Sequence, residues 1–223
     1  MGDKTKTESK AEQRSYAFEI RAEETEQGNI IVGRPIVYNS RTDLGYFDEV
    51  IESGALDRTD LTDVRFLVNH DTSKIPLARS RRNNGNSTMH LTVDDEGMGI
   101  RVTLDTENNA DARALYSAVS RGDISGMSFM FYVRDEEWDN LESDHPLRRI
   151  LSIESVVEVS AVTFPAYAAS EIYTRSKEAL ENARSALENA RQRCVEESVD
   201  TENKETNELE LLKEKTKLLG GKK

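Results

Sequence analysis

The sequence predicts a mainly β domain, a barrel or sandwich with helices added, followed by a helical C-terminal extension. Three observations carry that expectation. Runs with period-two alternation recur between residues 15 and 165. Within that span only "NNADARALYSAVSRGD" (108–123) has clear helical spacing. After Pro165 the composition shifts, and residues 176–193 hold the repeat "ALENARSALENARQR". Strands dominate and do not alternate with helices, which argues against a doubly wound sheet.

Residues 1–14 are polar and low in aromatics, and are expected to be a disordered lead-in. "SYAFEIRA" (15–22) alternates Tyr16, Phe18 and Ile20 and reads as the first strand. "GNIIVGRPIVYNS" (28–40) is rich in β-branched residues, with Gly33 marking a bulge and Pro35 arguing against an unbroken ladder. "YFDEVIESGALD" (46–57) reads as a short strand, a glycine break and a helical turn, and "DVRFLVNH" (63–70) as the next strand. "STMHLTVDDEGMGIRVTLD" (87–105) forms a hairpin around "DDEG". In the helix, Asn108 or Asn109 supplies the cap, Ala112, Leu115, Ala118 and Val119 form one face, and Gly122 ends it. "GMSFMFYVRDEEWD" (126–139) and "RRILSIESVVEVSAVTFP" (148–165) are two further strands, joined by a polar loop. In the extension, Leu180 and Leu187 are seven residues apart, as are Ala183 and Ala190, giving a two-heptad seam. The expected organisation is a lead at 1–14, a domain at 15–175 and a helical, partly disordered extension at 176–223.

Composition narrows the function. Of 223 residues, 36% are hydrophobic and 32% charged, and the formal net charge is −12. An acidic chain is a poor default ligand for nucleic acid. Cys194 is the only cysteine, so an internal disulfide or cysteine-based metal cluster is excluded. No signal-peptide core is visible, and no stretch approaches the roughly 18–20 apolar residues of a membrane span. A soluble protein made in the cytosol is expected, with no membrane partner. The three histidines, His70, His90 and His145, are scattered and give no metal signature such as HExxH, so neither metal nor cofactor is expected.

Three residues stand out chemically. His70 closes the apolar run "FLV" and is followed by Asp71; it is either a turn residue or a catalytic corner. Ser128, in "GMSFMF", is a hydroxyl inside an apolar strand, without the GxSxG pattern of a nucleophile elbow. Glu158 shares a strand face with Val156, Ser160 and Val162, in a run apolar on both faces. A carboxylate is costly to bury there unless paired, so Glu158 is an ion-pair member or the orienting member of a triad. A serine hydroxyl needs a base to act as nucleophile, histidine suits that role, and a buried carboxylate can orient the imidazole.

Four stretches, in order, resemble the tailed-phage prohead (capsid-maturation) serine proteases: "GRPIVYNSRTDLGYFDEVIESGALD", "FLVNHDTSKIPLARS", "RGDISGMSFMF" and "VVEVSAVTFPAY". The resemblance runs from about Phe18 to Ser170. It implies a compact β-barrel with surrounding helices, similar to herpesvirus assemblin, and a serine endopeptidase with His70 as base, Ser128 as nucleophile and Glu158 as third member. Ala78 and Met130 stand where the family usually has glycine, and Arg79 is a site-supporting charge. The resemblance further implies packaging inside the immature procapsid in the host cytoplasm, cleavage of scaffolding protein or of a scaffold-like segment of the major capsid protein, and self-cleavage. The extension then serves as a handle for scaffold or capsid, or as a removable segment, and self-association is possible. The rival expectation is a non-catalytic scaffold or assembly protein acting through its C-terminal helices.

Overall fold

The computed structural model of the chain describes residues 11–16, 20–26, 28–163 and 176–193. The chain divides into two units, one ending at Glu178 and the other beginning at Ala179. All the described strands lie in the first: β1 (Glu12–Tyr16), β2 (Ile20–Thr25), β3 (Gly28–Val37), β4 (Thr42–Asp43), β5 (Asp48–Ile51), β6 (Arg65–Val68), β7 (Ala78–Arg79), β8 (Met89–Asp94), β9 (Gly97–Thr103), β10 (Gly126–Asp139) and β11 (Leu147–Val162). Helix α1 (Ala110–Ser120) stands between β9 and β10, and helical backbone covers 176–193. The mainly β expectation with flanking helices therefore holds.

The expected barrel does not close among the described strands. They form two sheets instead, one of seven strands along the path β1-β10-β11-β5-β4, and one of four in the order β2-β3-β9-β8. The reason lies in β11, the longest strand. One edge pairs antiparallel with β10, and the other is shared by two short parallel partners, β5 at its start and β6 near its end. β6 carries β7 beyond it. Register shifts in the middle of the β10–β11 ribbon add bulges that bend it.

Local signals account for most elements. The β3–β9 register shifts between Gly33 and Ile36, at the glycine–proline segment. The β8–β9 hairpin turns at Asp95 and Glu96. Gly97 has φ +138°, and a Cβ there would lie 2.1 Å from the Ile36 carbonyl oxygen, so only glycine fits. Asn109 caps α1, its side chain accepting from the N–H groups of Asp111 and Ala112. Ala112, Leu115 and Val119 face the core, where Phe47, Phe66, Phe129, Phe131, Met89 and Met98 are fully buried.

Two expectations need correction at the N-terminus. Residues 12–14 are not a disordered lead but part of β1, which pairs antiparallel with β10 from Glu12↔Phe131 to Tyr16↔Met127; residues 1–10 lie outside the described ones. "SYAFEIRA" is not one strand, because β1 ends at Tyr16 and β2 begins at Ile20 in the other sheet. Charge pairing explains β1. The Arg14 guanidinium, 2% exposed, donates to Glu49 Oε1 (2.5 Å) and Oε2 (2.6 Å) and to Glu12 Oε2 (2.6 Å). Arg148, also buried, donates to Glu12 (2.6 and 2.7 Å), Glu49 (3.0 Å) and Glu136 (2.8 Å). Polar residues that look solvated in sequence are thus buried as mutual partners.

Burial works against the charge of Glu12, yet Arg14 and Arg148 outweigh it and hold the carboxyl at about 2, against an ordinary 4.5. Burial opposes the two guanidinium charges as well, and the carboxylates still raise both. Arg148→Met should cost about 3–5 kcal/mol in urea unfolding, because it strips buried carboxylates of a partner. The stability that Glu12 contributes is present above pH 4.5 and lost as the pH falls toward about 2. Glu12→Gln should remove that part of the acid slope when unfolding is followed against pH.

Candidate active site

One face of the seven-stranded sheet gathers the chemistry. Alternation along β11 puts Glu158 and Ser160 on the same side. In the β10–β11 register Ser128 lies directly opposite Ser160, and Met130 opposite Glu158. On the other edge of β11, β6 runs parallel with Leu67 beside Ser160, which delivers the chain to His70 just past the strand end.

The turn there is held firmly. Asn69 and His70 both adopt the left-handed region, with φ 51° and 58°, a conformation that costs of order 1 kcal/mol or more outside glycine. Its fixings are specific. The Asn69 N–H donates to the Ala161 carbonyl (2.9 Å), and its side-chain amide exchanges two hydrogen bonds with Thr163, at 3.0 and 2.9 Å. The His70 N–H donates to Ser160 Oγ (3.1 Å). The turn is thus sewn to the end of β11, and the imidazole points back over the sheet.

The side chains then form a continuous chain. His70 Nε2 lies 2.6 Å from Ser128 Oγ, and His70 Nδ1 makes a short hydrogen bond with Glu158 Oε1. The Ser160 hydroxyl donates to Glu158 Oε2 (2.7 Å). Ser128 and Ser160 are fully buried, Glu158 is 2% exposed, and the His70 side chain keeps 13% of its surface. Both carboxylate oxygens of Glu158 are therefore partnered, which is how an acid is tolerated in an apolar strand. A carboxylate accepts and does not donate, so the ring proton belongs on Nδ1, and Nε2 turns its lone pair to the Ser128 hydroxyl. The arrangement can draw a proton from an alcohol and steady the imidazolium that results.

The three residues singled out in sequence, His70, Ser128 and Glu158, thus meet. The other histidines do not join them. His90 is exposed on β8 opposite Arg101. His145 sits 3.2 Å from Asp48 at the start of β11, where Asp43, Asp48 and His145 could offer three ligand atoms to a cation, but Arg41 already pairs with Asp48. Arg79, expected to support the site, pairs with Asp63 instead, because it lies on β7 beyond β6. Ala78 is buried opposite Phe66. Ser160 was not singled out in sequence; its place two residues after Glu158, on the same face, was the available signal. Ser15 and Arg14 were missed as well. The Ser15 hydroxyl donates to Ser128 Oγ (2.7 Å), and the Ser128 hydroxyl is also within 2.7 Å of the Arg14 carbonyl oxygen.

A buried hydroxyl, an imidazole and a carboxylate joined in that order on a β scaffold define the arrangement of a serine hydrolase. The caudovirus prohead serine protease family model matches residues 16–185, and the chain belongs to that family. Among solved structures, the bacteriophage T4 capsid assembly protease gp21 is similar at 11% identity with a TM-score of 0.34, covering 68% of this chain and 98% of that one. No curated protein sequence matches the chain.

Ser160 holds two groups at once, the Glu158 carboxylate and the His70 N–H. Ser160→Ala should therefore lower stability by about 1–3 kcal/mol, measured by denaturant unfolding, since both lose a buried partner.

Proposed function

We propose that this chain is a serine endopeptidase of phage procapsid maturation, with Ser128 as nucleophile, His70 as general base and Glu158 orienting the imidazole. The observation that carries the reading is the unbroken hydrogen-bonded chain from Ser128 through His70 to Glu158; membership of the prohead protease family supports the setting. The substrates are scaffolding protein or a scaffold-like segment of the major capsid protein, cut inside the immature shell in the host cell, and the enzyme also cuts its own chain. Residues up to about 175, β1 included, make the protease, and 176–223 is a handle for scaffold or capsid, helical over 176–193.

The chemistry balances within these residues. His70 Nε2 takes the hydroxyl proton as Ser128 Oγ bonds to the scissile carbonyl carbon. The C–N bond then breaks, and the proton passes from His70 to the leaving amine. Water gives a proton to His70 and its oxygen to the acyl carbon. The ester bond breaks, the new carboxyl end leaves, and Ser128 recovers its proton. Glu158 accepts the Nδ1 hydrogen bond throughout and stabilises the imidazolium.

A second reading, a non-catalytic assembly protein, draws on the complete burial of Ser128 and on the helix at 176–193. Replacing Ser128 decides between them. Ser128→Ala should keep the wild-type circular dichroism spectrum and lower processing of co-expressed capsid protein by on the order of 10⁴ or more. Unchanged processing would leave the assembly reading.

A further inference from the structure

Ser128 is fully buried, and two of its hydrogen-bond partners, the Ser15 hydroxyl and the Arg14 carbonyl oxygen, belong to β1. β1 lies on the edge of β10 opposite β11, with Ser15 beside Ser128. With β1 in place the edge of β10 beside Ser128 is already paired. Without it, β10 becomes an open edge of the kind that accepts an extended peptide as an added strand.

The contacts around Ser128 resemble a bound substrate stopped short of reaction. A backbone carbonyl, that of Arg14, lies 2.7 Å from Ser128 Oγ. The hydroxyl proton is contested between that oxygen and His70 Nε2, at 2.6 Å. A lone pair of Oγ is occupied by the Ser15 hydroxyl. A serine that donates to the carbonyl oxygen beside it is not donating to its base, so attack on the carbonyl carbon is disfavoured.

The side chains of β1 show what the edge recognises. Arg14 enters a buried site, bidentate to Glu49 and 5.6 Å from the Phe131 ring centroid. Two residues earlier Glu12 is bidentate to Arg148. Glu49 and Arg148, one acid and one base fixed on β5 and β11, are matched by a base and an acid at alternate positions of a strand.

We infer that β1 is a resident pseudosubstrate: it occupies the substrate edge of β10 and silences Ser128. The substrate strand that takes its place carries an acidic residue two positions before a basic residue whose carbonyl meets Ser128. This rests on the reading of Ser128 as nucleophile.

The test uses the full chain and a fluorophosphonate probe, with modification of Ser128 read by mass spectrometry. Wild type, Arg14→Glu and Ser15→Pro are compared, after thermal unfolding shows which variants are folded. Arg14→Glu sets a carboxylate against Glu49; Ser15→Pro removes an N–H from β1 and leaves the charges in place. Labelling follows the fraction of molecules with β1 undocked, so each folded variant should react at least about tenfold faster than wild type. A peptide of residues 11–16, AEQRSY, should slow the variants again, and AEQESY should not. Equal rates in wild type and variants, or equal effects of the two peptides, would overturn the inference and leave Ser128 a nucleophile. A wild-type chain found cut between Arg14 and Ser15 would also overturn it, since β1 would then be a substrate. Absence of label at Ser128 in every chain would bring down both the inference and the reading beneath it.

Discussion

The register of β10 against β11 is the constraint on which the site depends. Side chains alternate between sheet faces, so a slip of one residue would send Ser128 to the far side of the sheet from Glu158 and Ser160. Register is pinned by the core. Met127, Phe129 and Phe131 are fully buried in the hydrophobic core, and the same slip would take them out of it. The shifts in pairing begin only beyond Met130. The first five residues of β10 therefore keep regular pairing beside the site, and the bulges that bend the ribbon fall outside it.

That constraint also explains how far the sequence could be read. Alternation and turn chemistry located β3, the β8–β9 hairpin, β10 and β11, because each buries apolar residues at period two. The Asn109 cap was visible for the same kind of local reason. Glu158 was legible as an anomaly, an acid in an apolar run. His70 stood out as a polar break after an apolar run, but its local sequence left a turn residue and a catalytic corner both open, since its left-handed turn and its hold on Ser160 are tertiary facts. β1 was lost because its two charges read as solvent-exposed, and hydrophobic periodicity has no term for a charge buried against its opposite. The closed barrel failed because nothing local reveals that β11 shares one edge between two short parallel strands. The stretch leading into the extension, 164–175, and the extension beyond residue 193 fall outside the described residues.

The polar side of the sheet and its charged side are organised by different physics. Around Ser128 the polar contacts are hydrogen bonds that join β1, β10, β11 and the turn after β6. Around Arg14 and Arg148 the contacts are ion pairs that join β1, β5, β10 and β11. Buried ion pairs repay much of their desolvation cost and little more, so they fix which strand sits where more than they add to stability. A hydrophobic β1 would be held more tightly and with less choice of partner.

Departure of β1 leaves few orphaned groups. Glu49 retains Arg148, and Arg148 retains Glu49 and Glu136, so the charges that stay behind are still paired. Arg14 and Glu12 leave together and return to water. The Ser128 hydroxyl gives up Ser15 and the Arg14 carbonyl but keeps His70. What opposes release is then the five-residue ladder and the burial of the Arg14 stem, not an uncompensated charge. A covering strand built in this way can be displaced by a competing strand of the same pattern, because each contact that it gives up is one that its replacement can make.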